Sequence, residues 1–198
     1  MRVIAGAFRG RRLIAPKGTR GVRPTADRVK ESVFSIVRDQ IIDANFLDLC
    51  AGTGSIGIEA LSRGAKHVTF LERDPRCIQI IKQNLRTCGL VAGPQARHYL
   101  LRRDAVKGIS YLQKQDAAFE IIYFDPPYGT DLESIPELYT TCLVLLAENS
   151  LLRTGGTLLV EHAKRFAVPD RVGNLTRIRQ ADYGDTVVSF YSEQFIDL

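Results

Sequence analysis

Asn45-Phe46-Leu47-Asp48-Leu49-Cys50-Ala51-Gly52-Thr53-Gly54-Ser55-Ile56-Gly57 joins a short apolar run, an acid near its end, a literal G-x-G-x-x-G and the opening of a helical pattern. An apolar run of this length between turn signals reads as a strand buried on both faces, over 46–50, and the pattern beyond the loop predicts a helix over 55–63. The same alternation continues downstream. Strands are expected over 67–71 (ending at Glu72), 97–101 (ending near Asp104), 119–124 and 157–161, with helices over 75–88, 105–113 and 136–148 between them. Pro75 sits where a helix tolerates proline, at its first position. Strands that alternate with helices imply a doubly wound, mostly parallel sheet with ligands at the strands' carboxyl ends. Alternating runs over 175–181 and 186–192, joined by Tyr183-Gly184-Asp185, add an antiparallel hairpin at the end of that sheet.

Upstream, runs over 2–7 and 10–15 around Phe8-Arg9-Gly10 read as a hairpin, and a loop follows over 18–21. A helix is expected over about 25–41, started by Pro24 or Thr25. Val29, Val33, Ile36, Val37 and Ile41 form its apolar stripe, with Arg28, Lys30 and Glu31 off it. The chain thus divides into a basic hairpin arm, 1–22, and a catalytic domain, 23–198.

The glycine loop alone fits any nucleotide-like ligand, because glycine allows close backbone approach. Asp48, four residues before Gly52, discriminates. A carboxylate facing the loop is an awkward neighbour for the pyrophosphate of a nicotinamide dinucleotide but suits the ammonium of S-adenosylmethionine. Glu72 ends the second strand, where it can accept from both ribose hydroxyls. Asp104 can accept from the adenine amino group or can simply cap the helix that begins at Ala105. Candidate cofactor contacts are therefore Asp48, the loop residues Ala51, Gly52, Thr53 and Gly54, the pairs Glu72–Arg73 and Asp104–Ala105, and Asp125. Gly57 reads as a helix–sheet packing residue.

The chemistry is placed at Phe124-Asp125-Pro126-Pro127-Tyr128-Gly129, which ends the apolar run Ile121-Ile122-Tyr123. A residue before proline is driven to extended backbone and each proline fixes its own φ, so Asp125 and Pro126 form a rigid rim. The Asp125 carboxylate and the Pro126 carbonyl offer two acceptors for an exocyclic NH2 group, and the Tyr128 ring offers a stacking face. Asp125, Pro126, Pro127 and Tyr128 are the candidate catalytic residues.

Composition and charge narrow the partners. With 198 residues, 45% hydrophobic and 25% charged, the chain reads as one main globular domain. No apolar run approaches the length of a membrane span, and Arg9 interrupts the N-terminal run before it can act as a secretory signal, so a cytoplasmic location is expected. Cys50, Cys77, Cys88 and Cys142 are dispersed, as are His67, His98 and His162, which gives no zinc spacing; free thiols and no metal are expected. Residues 1–38 carry ten Lys or Arg against two acids, a net +8, which leaves −3 for the rest of a chain whose total is +5. Such asymmetry suits a polyanionic partner. Arg9, Arg11, Arg12, Arg23 and Arg28, with Tyr128, are the candidate nucleic-acid contacts.

The set Asp48 to Gly57, Glu72, Asp104 and Asp125-Pro126-Pro127-Tyr128 resembles class I S-adenosylmethionine-dependent methyltransferases, in the branch that methylates exocyclic amino groups of bases. The flanks Arg2-Val-Ile-Ala-Gly-Ala-Phe-Arg-Gly-Arg-Arg-Leu13, Arg23-Pro-Thr-Ala-Asp-Arg-Val-Lys-Glu-Ser-Val-Phe34 and Tyr183-Gly-Asp-Thr186 resemble the RsmD family, bacterial 16S rRNA guanine-N2 methyltransferases. That resemblance covers nearly the whole chain. It implies a Rossmann-like, seven-stranded sheet with a reversed last strand, S-adenosylmethionine as cofactor, and a guanine of 16S rRNA in a small-subunit particle as substrate. It also implies a monomer acting without metal. Val91 to Arg103, where Arg97, Arg102 and Arg103 surround the third strand, departs from the family pattern. Rival readings are a DNA adenine-N6 methyltransferase, a non-catalytic RNA-binding assembly factor and a nicotinamide oxidoreductase.

Overall fold

The computed structural model describes residues 1–15, 27–126 and 134–193, with backbone alone for 134–136. Among these the order is α1 (Asp27–Ile36), β1 (Asn45–Leu49), α2 (Ser55–Ser62), β2 (His67–Glu72), α3 (Pro75–Thr87), β3 (His98–Arg102), α4 (Ala105–Gln113), β4 (Phe119–Phe124), α5 (Ser134–Glu148), β5 (Leu152–Ala163), β6 (Arg171–Val172), β7 (Leu175–Tyr183) and β8 (Thr186–Glu193). The strands form one sheet in the order β3-β2-β1-β4-β5-β8-β7-β6. β1 pairs in parallel with β2 and β4, β2 with β3, and β4 with β5. β8 runs antiparallel between β5 and β7, and β6 closes the edge antiparallel to β7.

Strand alternation divides the core into two layers. Phe46, Val68, Phe70, Ile121, Tyr123 and Leu159 face α1, α2 and α3, while Leu47, Leu49, Ile122, Phe124 and Val160 face α4 and α5. With helices on both faces the central strands are buried throughout, which is why they read as continuous apolar runs. The alternation carries Asp48 and Glu161 to the face of Phe46 and Leu159, and Asp125 follows Tyr123 by two residues.

Four local expectations are corrected. Among the described residues the sheet has eight strands rather than seven, because Arg171–Val172 turns through Gly173-Asn174 to pair with Leu175 and Thr176; two residues are too short to show a period. β5 runs over Leu152–Ala163, well beyond 157–161. The expected helix over 25–41 ends at Ile36, and its expected start lies outside the described residues. Val37 and Ile41 are nevertheless buried, so their spacing reported burial rather than helix. Lys30, set off the apolar stripe by its position, is fully buried: its Nζ donates to Arg2 O at 2.7 Å and Ser55 Oγ at 3.1 Å and lies 3.8 Å from Glu59.

The N-terminal segment reverses as a hairpin with a short ladder. Arg2 bridges Arg12, Val3 N donates to Arg11 O at 3.0 Å, and Leu13 N donates to Met1 O at 3.0 Å. The turn begins earlier than Phe8-Arg9-Gly10, since Gly6 and Gly10 both have positive φ. Its amides are directed onto α2 instead of across a ladder. Ile4 N and Ala5 N donate to the two Glu59 oxygens at 2.8 and 3.0 Å, and Phe8 N donates to Ser62 Oγ at 2.9 Å. Val3 and Leu13 are buried in the first core layer.

Candidate active site

Four neighbouring strands, β2, β1, β4 and β5, carry an acid near, at or just beyond their carboxyl ends: Asp48 and Glu161 near the end, Glu72 at it and Asp125 just beyond it. Between them lies the glycine loop, fixed residue by residue. Leu71 O accepts from Cys50 N at 3.1 Å and from Ala51 N at 2.9 Å. Glu72 Oε2 accepts from Gly52 N at 2.7 Å, Asn84 Nδ2 donates to Thr53 O at 3.0 Å, and Ala51 O accepts from Gly54 N at 2.7 Å. Cys50, Gly52 and Gly54 all have left-handed φ, of 75°, 54° and 74°. Glycine takes that region freely, whereas Cys50 stores strain on the order of 1 kcal/mol.

Asp48 is buried, and its Oδ2 accepts from Gly57 N at 2.9 Å. Gly54, the N-cap of α2, has no side chain to offer, so Asp48 caps that helix from the neighbouring strand. Burial pushes the Asp48 carboxyl up to about 7; the Gly57 N–H opposes this and the Glu72 charge adds to it. Gly57 packs as expected, since a Cβ there would run into the Phe70 ring.

Glu72 is partly exposed and bridges two loops. Oε2 holds Gly52 N, while Oε1 accepts from Arg73 N at 2.7 Å and Asp74 N at 2.8 Å. Arg73 is exposed at the rim. Asp104 caps α4, accepting from Lys107 N at 2.9 Å, with Lys107 Nζ 3.7 Å away, and Ala105 is buried as the first residue of that helix.

Asp125 follows β4, and its N–H reaches Leu49 O at 3.4 Å. The β4–β5 register pairs Phe124 with Val160, so the next step sets Asp125 beside Glu161. Burial, then the Glu161 charge, then the Asp48 charge hold the Asp125 carboxyl well above the usual carboxylate range. Glu161 accepts from the Tyr123 hydroxyl, and Tyr139 OH donates to Glu161 O at 2.9 Å. Pro126 is buried; Pro127 and Tyr128 lie outside the described residues.

Glu161 was not singled out from the sequence, although Thr157-Leu-Leu-Val-Glu161 ends in an acid just as the strands at Glu72 and Asp125 do. Asn84 also escaped notice, and Lys30 was read only as lying off the apolar stripe, because a polar residue inside a helix gives no periodic sign of a long-range partner. Of the candidate nucleic-acid contacts, Arg9, Arg11 and Arg12 are exposed on the arm and Arg28 is exposed on α1; Arg23 lies outside the described residues. Arm and α1 are joined by Lys30 and by the Arg2–Asp27 pair at 3.3 Å.

This cluster of carboxylates, in which burial first and neighbouring acid charge second raise Asp48 and Asp125, fits a cationic ligand at the loop. Among the described residues no group of three or more His, Cys, Asp or Glu is arranged to hold a metal ion. Residues 1–192 match the family described as Conserved hypothetical protein 95. The chain is 38% identical over 194 residues to "Putative rRNA methyltransferase YlbH" of Bacillus subtilis, covering 98% of this chain and 100% of that one. It is 32% identical over 194 residues to "Ribosomal RNA small subunit methyltransferase D" of Escherichia coli, covering 98% and 90%. The chain belongs to the RsmD-like methyltransferase family. The solved structure of yhhF from Escherichia coli superposes with a TM-score of 0.78 at 28% identity, over 98% of each chain. The family resemblance of the flanking motifs and the Rossmann-like methyltransferase fold are both borne out.

Proposed function

We propose that this protein transfers a methyl group from S-adenosylmethionine to the exocyclic N2 of a guanine in 16S rRNA of the small ribosomal subunit. The observation that carries this reading is the placement of Asp125-Pro126 beside Asp48 and Glu161, at the mouth of the glycine loop, in an RsmD-like chain. When bound, S-adenosylmethionine supplies an electrophilic methyl on a positively charged sulfur.

The protein's own residues bind, orient and manage charge. Asp48 faces the methionine ammonium, Glu72 takes the ribose hydroxyls, and Asp104 accepts from the adenine amine while continuing to cap α4. Ala51 to Gly54, Arg73 and Ala105 line the cofactor. At the target, the Asp125 carboxylate and Pro126 carbonyl accept the two amine hydrogens. This would orient the nitrogen and free its lone pair toward the methyl that bound S-adenosylmethionine would supply. Tyr128, by its place in the motif, stacks on the extruded base, which must leave its helix to reach the rim.

Asp125 also suits proton removal. A cation in the site favours its ionised form before transfer. Methyl transfer from the sulfonium would leave positive charge on the guanine nitrogen, and the adjacent Asp125 carboxylate would take the N–H proton. Arg9, Arg11, Arg12, Arg23 and Arg28 meet the rRNA backbone. Incubation with methyl-labelled S-adenosylmethionine and small-subunit particles, naked 16S rRNA or DNA tests the polymer. Label on the particles or rRNA supports the reading, and label on DNA alone removes it.

A further inference from the structure

The basic arm and the glycine loop, assigned above to different ligands, meet at one side chain. Asn84 lies on α3 and is fully buried. Its Oδ1 accepts from Ile14 N at 2.7 Å, and its Nδ2 donates to Ile14 O at 3.2 Å and to Thr53 O at 3.0 Å. Both amide hydrogens are thereby used. On one side Asn84 closes a ladder-like rung with the backbone of Ile14, two residues beyond Arg12. On the other it fixes the carbonyl of Thr53, which stands between two left-handed glycines where the backbone has most freedom to lose.

Two further links run in parallel. Thr53 Oγ1 lies 3.6 Å from Met1 Sδ, and Lys30 Nζ joins Arg2 O to Ser55 Oγ. Thr53 and Ser55, the two neighbours of Gly54, are thus both tied to the arm.

We propose that Asn84 is a positioning residue that makes the arm and the glycine loop one unit, so that cofactor on the loop and rRNA on the arm strengthen each other's binding. The proposal rests on the function proposed above. Ordering the loop orders Thr53 O, hence Asn84, hence the strand that presents Arg11 and Arg12; the reverse path holds equally, because coupling between two ligands is reciprocal. A purely structural Asn84 would lower stability and leave the two affinities independent.

The test measures binding of naked 16S rRNA to the full chain with and without saturating S-adenosylhomocysteine, which lacks the sulfonium charge, and binding of S-adenosylhomocysteine with and without rRNA. Wild-type protein is expected to show the same enhancement in both directions, within roughly 5- to 150-fold. Asn84→Asp keeps the acceptor for Ile14 N but loses both donations, and is expected to bind each ligand alone while its enhancement falls toward one. Hydrogen exchange on wild-type protein gives a readout independent of any variant. S-adenosylhomocysteine alone is expected to slow exchange at Val3, Gly10, Leu13 and Ile14. An enhancement of one in wild type, an unchanged enhancement in Asn84→Asp, or arm amides indifferent to the ligand would overturn the proposal. Failure of wild type to bind either ligand would overturn the proposed function itself.

Discussion

Gly57 N donates to Asp48 Oδ2 at 2.9 Å, so the acid that faces the glycine loop is also the cap of the helix behind it. One carboxylate thereby serves both the helix and the ligand site, under opposing influences on its charge. A helix N-terminus and a bound cation both favour the ionised form, while burial without the cation opposes it.

Asp48→Asn separates these roles. The Asp48 carboxyl stands at about 7 in the folded protein, above its unfolded value of roughly 3.9. Between those values the folded form holds the extra proton, so this stabilising contribution is full below about 3.9 and is lost as pH rises through 7. Asparagine keeps an acceptor for Gly57 N and cannot ionise. Thermal unfolding should show the variant gaining on wild type from pH 5 to pH 8, by up to a few kcal/mol at 1.36 kcal/mol per pKa unit. Its affinity for S-adenosylmethionine should fall. A stability gain equal at both pH values would contradict titration of Asp48 in that window.

Asp125→Ala should remove turnover and leave cofactor binding largely intact, since Asp48 and Glu72 remain in place. Equal loss of both, measured by calorimetry beside a methyl-transfer assay, would contradict this division of labour.

Glu161→Gln keeps an acceptor for the Tyr123 hydroxyl but removes the largest charge acting on Asp125. The Asp125 carboxyl should then titrate at lower pH. Because the target amine needs an ionised acceptor, the acid limb of the pH–rate profile should move to lower pH. An unmoved limb would show that Glu161 does not act on Asp125.

Glu59 receives Ile4 N, Ala5 N, Arg63 at 2.8 Å and the buried Lys30 ammonium. Glu59→Ala strands that ammonium, already lowered in pKa by burial, and should cost about 3 to 5 kcal/mol in chemical denaturation. A loss below about 1 kcal/mol would mean that the arm docks through Val3 and Leu13 alone.

Replacing Arg9, Arg11 and Arg12 together with alanine is a cleaner test of the arm than deleting it, because deletion also strips core residues and the partners of Glu59. If each arginine meets a phosphate, the salt dependence of rRNA binding should flatten by about 0.7 per contact in log–log slope. Cofactor affinity without RNA should not change. An unaltered slope would place the rRNA elsewhere.

The central strands were legible because burial on both faces leaves continuous apolar runs, and α4 and β4 carry the expected bounds. Asp48, Glu72 and Asp125 were legible as acids where such runs stop. Long-range polar connections were not. The partners of Asn84 lie 70 and 31 residues away, and Lys30 meets Glu59 across two helices; neither contact leaves a period in the sequence. Ile36 ended a helix that its apolar spacing carried on, since the same spacing serves a buried turn.

The most direct measurement is mass-spectrometric nucleoside analysis of 16S rRNA from small-subunit particles incubated with this protein and S-adenosylmethionine. The account predicts N2-methylguanosine, absent from particles treated with Asp125→Ala. N6-methyladenosine, or no modified nucleoside with active cofactor-bound protein, would contradict it.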